Sequence, residues 1–180
     1  MSPQFRLPWV RRFFRDTRGV SAVEFALVLP LMMTLYLGGA EVAQGITASR
    51  KVTLVSRTVA DLASQSSAIS NAAMTNILNA SAAVVSPFPS NKLKVTVSQV
   101  AIDAQGKATI DWSKALNGTE RGKGTGVTLP AALAVPSTWL IWTEAEYSYT
   151  PAIGYVITGT LNLKDQMYMR PRLSNSVTYP

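Results

Sequence analysis

An α+β fold built on one long N-terminal helix follows from three features of the chain. An uncharged, apolar run from Phe25 to Ala40 passes directly into a helical stripe that continues to about Ser64. A second helical pattern lies between Ile69 and Val85. From Lys92 the apolar period falls to two, the period of a strand. Helices followed by a block of strands give an α+β domain, here with an antiparallel sheet of about four strands.

The first helix has two halves. Residues 20–40 rise roughly 30 Å as a helix, enough to cross a bilayer core. Glu24 is the one charge in that half. A carboxylate at the bilayer centre costs about 2.5 kcal/mol or more, so Glu24 must either reach water from just inside the headgroup layer or meet a charge partner on another subunit. Residues 41–64 continue the helix as an amphipathic segment. Ala48, Val52, Val55, Val59 and Leu62 recur at intervals of three and four, while Arg50, Lys51, Arg57, Asp61 and Ser64 fall elsewhere. The whole helix spans roughly 65 Å, and its second half is expected to lay its stripe on a globular domain. Pro30 is a place for a kink, Gly38, Gly39 and Gly45 are places for a bend, and the small residues Gly38, Gly39 and Ala40 allow a close helix contact in lipid.

Residues 65–180 are expected to form that domain. Ile69, Ala73, Ile77, Ala80 and Val84 share a helix face with Met74, Leu78 and Val85; Ser70 or Asn71 is the N-cap, and Pro87 and Pro89 end the helix. Leu93, Val95 and Val97 alternate with polar residues. The apolar phase then shifts to Val100 and Ile102, which predicts a β-bulge near Ser98 or Gln99. Asp103 to Lys107 is a hairpin turn with Gly106 at the left-handed position, and Ala108, Ile110 and Trp112 return. Trp139–Tyr149 and Tyr155–Leu163 read as the strongest strands, with Met167–Arg172 closing or capping the sheet.

Composition excludes much chemistry. The chain has no cysteine and no histidine, which removes disulfides, thiol nucleophiles, the commonest zinc sites and His-assisted triads. No cofactor or metal site is expected. Net charge is +7, but Arg6, Arg11, Arg12, Arg15 and Arg18 against Asp16 place +4 of it in residues 1–19, so no nucleic-acid partner is expected. The same arginines put the N-terminus in the cytoplasm by the positive-inside rule. Phe5, Trp9, Phe13 and Phe14 among them suit either an interfacial segment or a tail that is discarded.

Two further motifs fail their tests. Residues 117–126 are glycine-rich, yet only three residues separate Gly118 from Gly122, and Gly124 stands where a phosphate loop has Ser or Thr. A solvated, mobile loop is expected there. Glu144 and Glu146 share a strand face at roughly 6 to 7 Å, within the range of a glycosidase pair. No other residue supports a sugar site, and a solvated strand face is the commoner setting.

The leader, Gly19, the glutamate five residues on and the apolar helix together resemble the class III signal of type IV pilins and pseudopilins. The run GVSAVEFALVLPLMMTLYLGGAEVAQ resembles the TadE-like proteins of the tight-adherence (Tad) pilus system, most densely over residues 15–65, with EYSYTP and MRPR similar to their C-terminal halves. The resemblance implies a non-enzymatic, pilin-like protein: a minor pilin or pseudopilin serving pilus assembly and cell adhesion. Residues 1–19 would be a cytoplasmic leader removed by a prepilin peptidase between Gly19 and Val20, within a processing motif that includes Arg18 and Phe25. Unlike a secretory signal, the apolar helix is then kept.

Cleavage frees an amine at Val20, positive near neutral pH. The resemblance implies that Glu24 pairs with such an amine on a neighbouring subunit. Other pilins or pseudopilins, the Tad assembly platform and the membrane are the implied partners. The protein is expected to cross the bacterial inner membrane once, with its C-terminal domain periplasmic or, after assembly, extracellular. The competing readings are an uncleaved, signal-anchored periplasmic binding or scaffold protein, a membrane-tethered hydrolase using Glu144 and Glu146, and a DNA-uptake pseudopilin.

Overall fold

The computed structural model of the chain describes residues 19–154 and 156–180. Residues 1–18 of the expected leader, Arg18 included, and Tyr155 lie outside the described residues. Helix α1 runs Val20–Ser64 and helix α2 Asn71–Val85. A short 3-10 turn, Ser90–Lys92, leads into five strands: β1 Leu93–Ile102, β2 Ala108–Leu116, β3 Gly126–Val127, β4 Thr138–Tyr149 and β5 Leu161–Met169. All pairings are antiparallel, in the order β3-β2-β1-β4-β5. The fold is α+β, with five strands where about four were expected; the additional one is the two-residue β3.

Helix α1 stays continuous through Pro30, where Thr34 Oγ1 donates to the Pro30 carbonyl at 2.9 Å. Its buried stripe runs Ala48, Val52, Val55, Val59 and Ala63, so Ala63 takes the inward place expected for Leu62, which is half-buried. The stripe lies chiefly on β4 and β5, with α2 alongside. Ser70 is the N-cap of α2, its hydroxyl accepting from the Ala73 amide at 3.2 Å, and Met74, Leu78, Ser81 and Val85 face inward. Leu93, Val95, Val97, Ile141, Ala145 and Tyr147 complete this core from the sheet.

The β-bulge falls where the apolar phase shifts, between Gln99 and Val100, but the additional residue belongs to β2 rather than β1. Gln99 faces Trp112 and Val100 faces Ile110, which leaves Asp111 unpaired in the ladder. Strand β1 therefore keeps a simple alternation, and Val100 and Ile102 lie on the sheet's outer face. With Ile110 and Leu140 they form a second, smaller cluster covered by Leu129 and Leu133. The sheet thus packs apolar residues on both faces at this end. The β1–β2 turn is as expected, with Gly106 at φ +81° and the Asp103 Oδ1 accepting from the Gln105 and Lys107 amides.

The last strand differs from its expected place. Residues 156–160 are irregular, and pairing resumes at Tyr149↔Leu161, so β5 begins six residues after Tyr155 and contains Met167–Met169. Gly154 and Gly159 both take positive φ, +69° and +88°, which breaks the extended chain twice inside a β-branched run. The result is a broad loop, residues 150–160, that crosses back over α1.

Candidate functional site

Three places concentrate chemistry, and the first is the exposed start of α1. Every residue from Gly19 to Tyr36 is exposed. The most apolar 18-residue window of the helix has mean hydropathy 1.9 and is 0% buried. Apolar surface on that scale is not sustained in water and marks a membrane or partner face. Gly19, Val20, Glu24 and Phe25 all stand here, with Val20 and Glu24 one turn apart on one side of the helix. Among the described residues no ion pair involves Glu24. The four lie within seven residues of sequence and are exposed, so their proximity is that of neighbours along one helix end.

The second place was not anticipated. Glu41 is 3% exposed, and its Oε2 accepts the Val156 amide at 2.8 Å and the Ile157 amide at 3.3 Å. Gly38 and Gly45 flank it on the same helix face, at the spacings that put residues on one side of adjacent turns. A Cβ on Gly38 would come within 2.7 Å of Val156 Cγ2, and Ile157 and Tyr149 lie over Gly45. These glycines thus seat the 150–160 loop rather than bend the helix or pack on another helix. Tyr149 is buried and its hydroxyl has no hydrogen-bond partner among the described residues. Burial, and secondarily the negative charge of Glu41, push its pKa above the ordinary tyrosine value. The sequence signal was present as G-x-x-E-x-x-x-G, a lone charge on a small-residue face.

The third place is the outer sheet face, where a cleft of about 960 Å³ is lined by Lys94, Thr96, Glu144, Glu146, Lys164 and the 117–121 turn. Each glutamate already holds a cation: Arg121 pairs with Glu144, and Lys164 with Glu146 at 3.4 Å. The Arg121 guanidinium also lies 4.1 Å over the Trp142 ring, which stacks on Tyr168 at 5.7 Å. Lys123 reaches Asp111 at 3.0 Å and Lys114 reaches Glu120 at 3.0 Å. The glycine-rich segment is solvated, as expected, with Arg121 alone of residues 117–126 half-buried, and these side chains tie it to the sheet. Its contacts are partly exposed ion pairs, each worth at most about 1 kcal/mol.

A solvent-exposed apolar helix that becomes the buried spine of an α+β domain fits one class, a membrane-anchored protein. Within that class, residues 19–61 match the family model described as TadE-like protein. The matched stretch covers the exposed span, Glu24, Glu41 and most of the buried stripe. No curated protein and no solved structure matches the chain.

Proposed function

We propose that this chain is a TadE-like minor pilin or pseudopilin of a Tad-type pilus or secretion machine. The observation that carries the reading is the coincidence of the TadE-like match with an apolar helix start exposed from Gly19 to Tyr36, 0% buried over its most apolar window. In this reading a prepilin peptidase cuts the precursor between Gly19 and Val20 on the cytoplasmic side. The helix remains as a single membrane pass, with residues 65–180 outside the cytoplasm, and subunits assemble through it on the Tad platform.

Glu24 is the ordering residue of that assembly. The new Val20 amine carries positive charge near neutral pH. Within an apolar bundle, an amine and a carboxylate from adjacent subunits neutralise one another, which lowers the cost of burying either charge. The exposure of Glu24 along a free helix face supports such a partner. The test is the intact mass and N-terminal sequence of the protein from membranes of its host, with and without the prepilin peptidase. A start at Val20 that depends on the peptidase is expected. An arginine-rich N-terminus retained in both strains would replace this reading with an uncleaved signal anchor.

A further inference from the structure

The loop between β4 and β5 is uncharged, its only polar side chains besides Tyr155 being Thr150, Thr158 and Thr160. Between Glu146 and Lys164 the sequence carries no charged residue. Those two bracketing residues face each other in the β4–β5 register and pair at 3.4 Å, so they fence the stretch off from the charged outer face. Inside it, Ile153 and Val156 are 54% and 53% exposed. Two exposed apolar side chains on a loop are ordinary by themselves. Their height along α1 is what gives them meaning.

Val156 sits against Gly38 and Ile157 over Gly45. The uncharged run of the helix ends at Ala40, but its uncharged surface does not, because Glu41 is buried with its oxygen against the loop amides. Val42 and Ile46 follow as exposed apolar residues, and Arg50 is the first exposed charge after Glu24. Residues 25–49 therefore present roughly 37 Å of helix without exposed charge, about 7 Å more than a hydrocarbon core requires. Counted from Phe25, about 30 Å of helix ends near Gln44, so the loop docked at Gly38–Gly45 stands at the outer edge of the hydrocarbon core.

We propose that the 150–160 loop is a second lipid-contacting element, inserted at the outer interface of the bilayer beside α1, with Glu41 as the clasp that holds it at that depth. The inference rests on the membrane-anchored reading of α1. Lipid is the occupant because the loop continues the helix's lipid-facing surface without an intervening charge, and interfacial insertion by apolar side chains reaches about 5–10 Å. The buried carboxylate has a stated part in this. It satisfies two loop amides that would otherwise face hydrocarbon, where an unpaired backbone group is costly.

Absence of cysteine allows a clean test. The full chain is reconstituted at low protein density in vesicles of phosphatidylethanolamine and phosphatidylglycerol, with single spin labels at Leu35→Cys, Ile153→Cys or Ala104→Cys. Leu35 reports the span and Ala104 the far end of the sheet. The expected result is an oxygen-over-nickel-chelate collision ratio at Ile153 several-fold above that at Ala104 and approaching that at Leu35. A lipid-exposed Leu35 with an aqueous Ile153 overturns the loop proposal and leaves the span intact. An aqueous Leu35 overturns the span itself. An Ile153 label that is aqueous when dilute and broadens by spin–spin coupling at high density assigns the loop to a second copy, which also overturns the proposal.

Discussion

Glu41 Oε2 accepts the amide of Val156 at 2.8 Å, joining the middle of the long helix to a loop 115 residues further along the chain. The Ile157 amide approaches the same oxygen at 3.3 Å. Glu41→Ala removes the acceptor from two amides, at a cost of about 1–3 kcal/mol, whereas Glu41→Gln keeps a carbonyl oxygen and costs less. Hydrogen exchange on the full chain in detergent micelles should show residues 150–160 losing protection in Glu41→Ala while β1 keeps its own. Unchanged exchange of the loop would contradict this.

Gly38 and Gly39 make an internal comparison. A methyl on Gly39 meets nothing within 4 Å, while one on Gly38 meets Val156 Cγ2 at 2.7 Å. In a helix interior Ala is favoured over Gly by up to about 1 kcal/mol. Gly39→Ala should therefore stabilise the chain, and Gly38→Ala should gain less or lose, because Val156 must move. Paired thermal unfolding curves decide it, and equal shifts would show that the loop does not rest on Gly38.

Tyr149 and Tyr147 are both buried, and desolvation raises the pKa of each above 10.0. A tyrosine whose folded pKa exceeds its unfolded value contributes stability that is fully present below the unfolded pKa. That contribution is lost as pH rises through the folded one. Stability should thus decline above about pH 10. Tyr149→Phe should shrink this alkaline loss and, by removing a buried unpaired hydroxyl, raise neutral-pH stability by about 1 kcal/mol. Denaturant midpoints at pH 8 and pH 10.5 give both numbers, and a destabilised Tyr149→Phe at neutral pH would show that the hydroxyl is paired.

Glu24→Ala should leave the unfolding of the domain unchanged, since Glu24 lies on the exposed half of α1. Assembly should fail. Normal piliation of a host carrying this variant, measured beside its unfolding curve, would remove Glu24 from the mechanism.

The ends of α1, the cap at Ser70, the turn at Gly106 and the shared strand face of Glu144 and Glu146 were all legible in the sequence, because each is set by local rules of period, capping and turn chemistry. The bulge was legible in position but not in strand. The shift from Val97 to Val100 marks it, while only pairing reveals that Asp111 of β2 is the added residue. The place of β5 was hidden because residues 155–163 are β-branched and alternate, and two glycines at positive φ override that preference. Glu41 was hidden for a different reason. Its partners are backbone amides remote in sequence, and such amides leave no residue-type signature.

Helix α1 also sets how load travels through the molecule. It is one continuous helix from Val20 to Ser64, with Pro30 inside it unable to donate a backbone hydrogen bond. At its far end the Ser64 carbonyl accepts the Arg172 amide at 2.9 Å, and the Asp61 carboxylate takes the Arg172 guanidinium at 2.5 Å. A pull along the exposed half therefore meets the sheet as shear along the whole buried stripe. It is resisted by many contacts at once rather than by peeling them one at a time. The same helix that leaves its first half exposed is a tie rod through the domain, and traction on it is borne by the core.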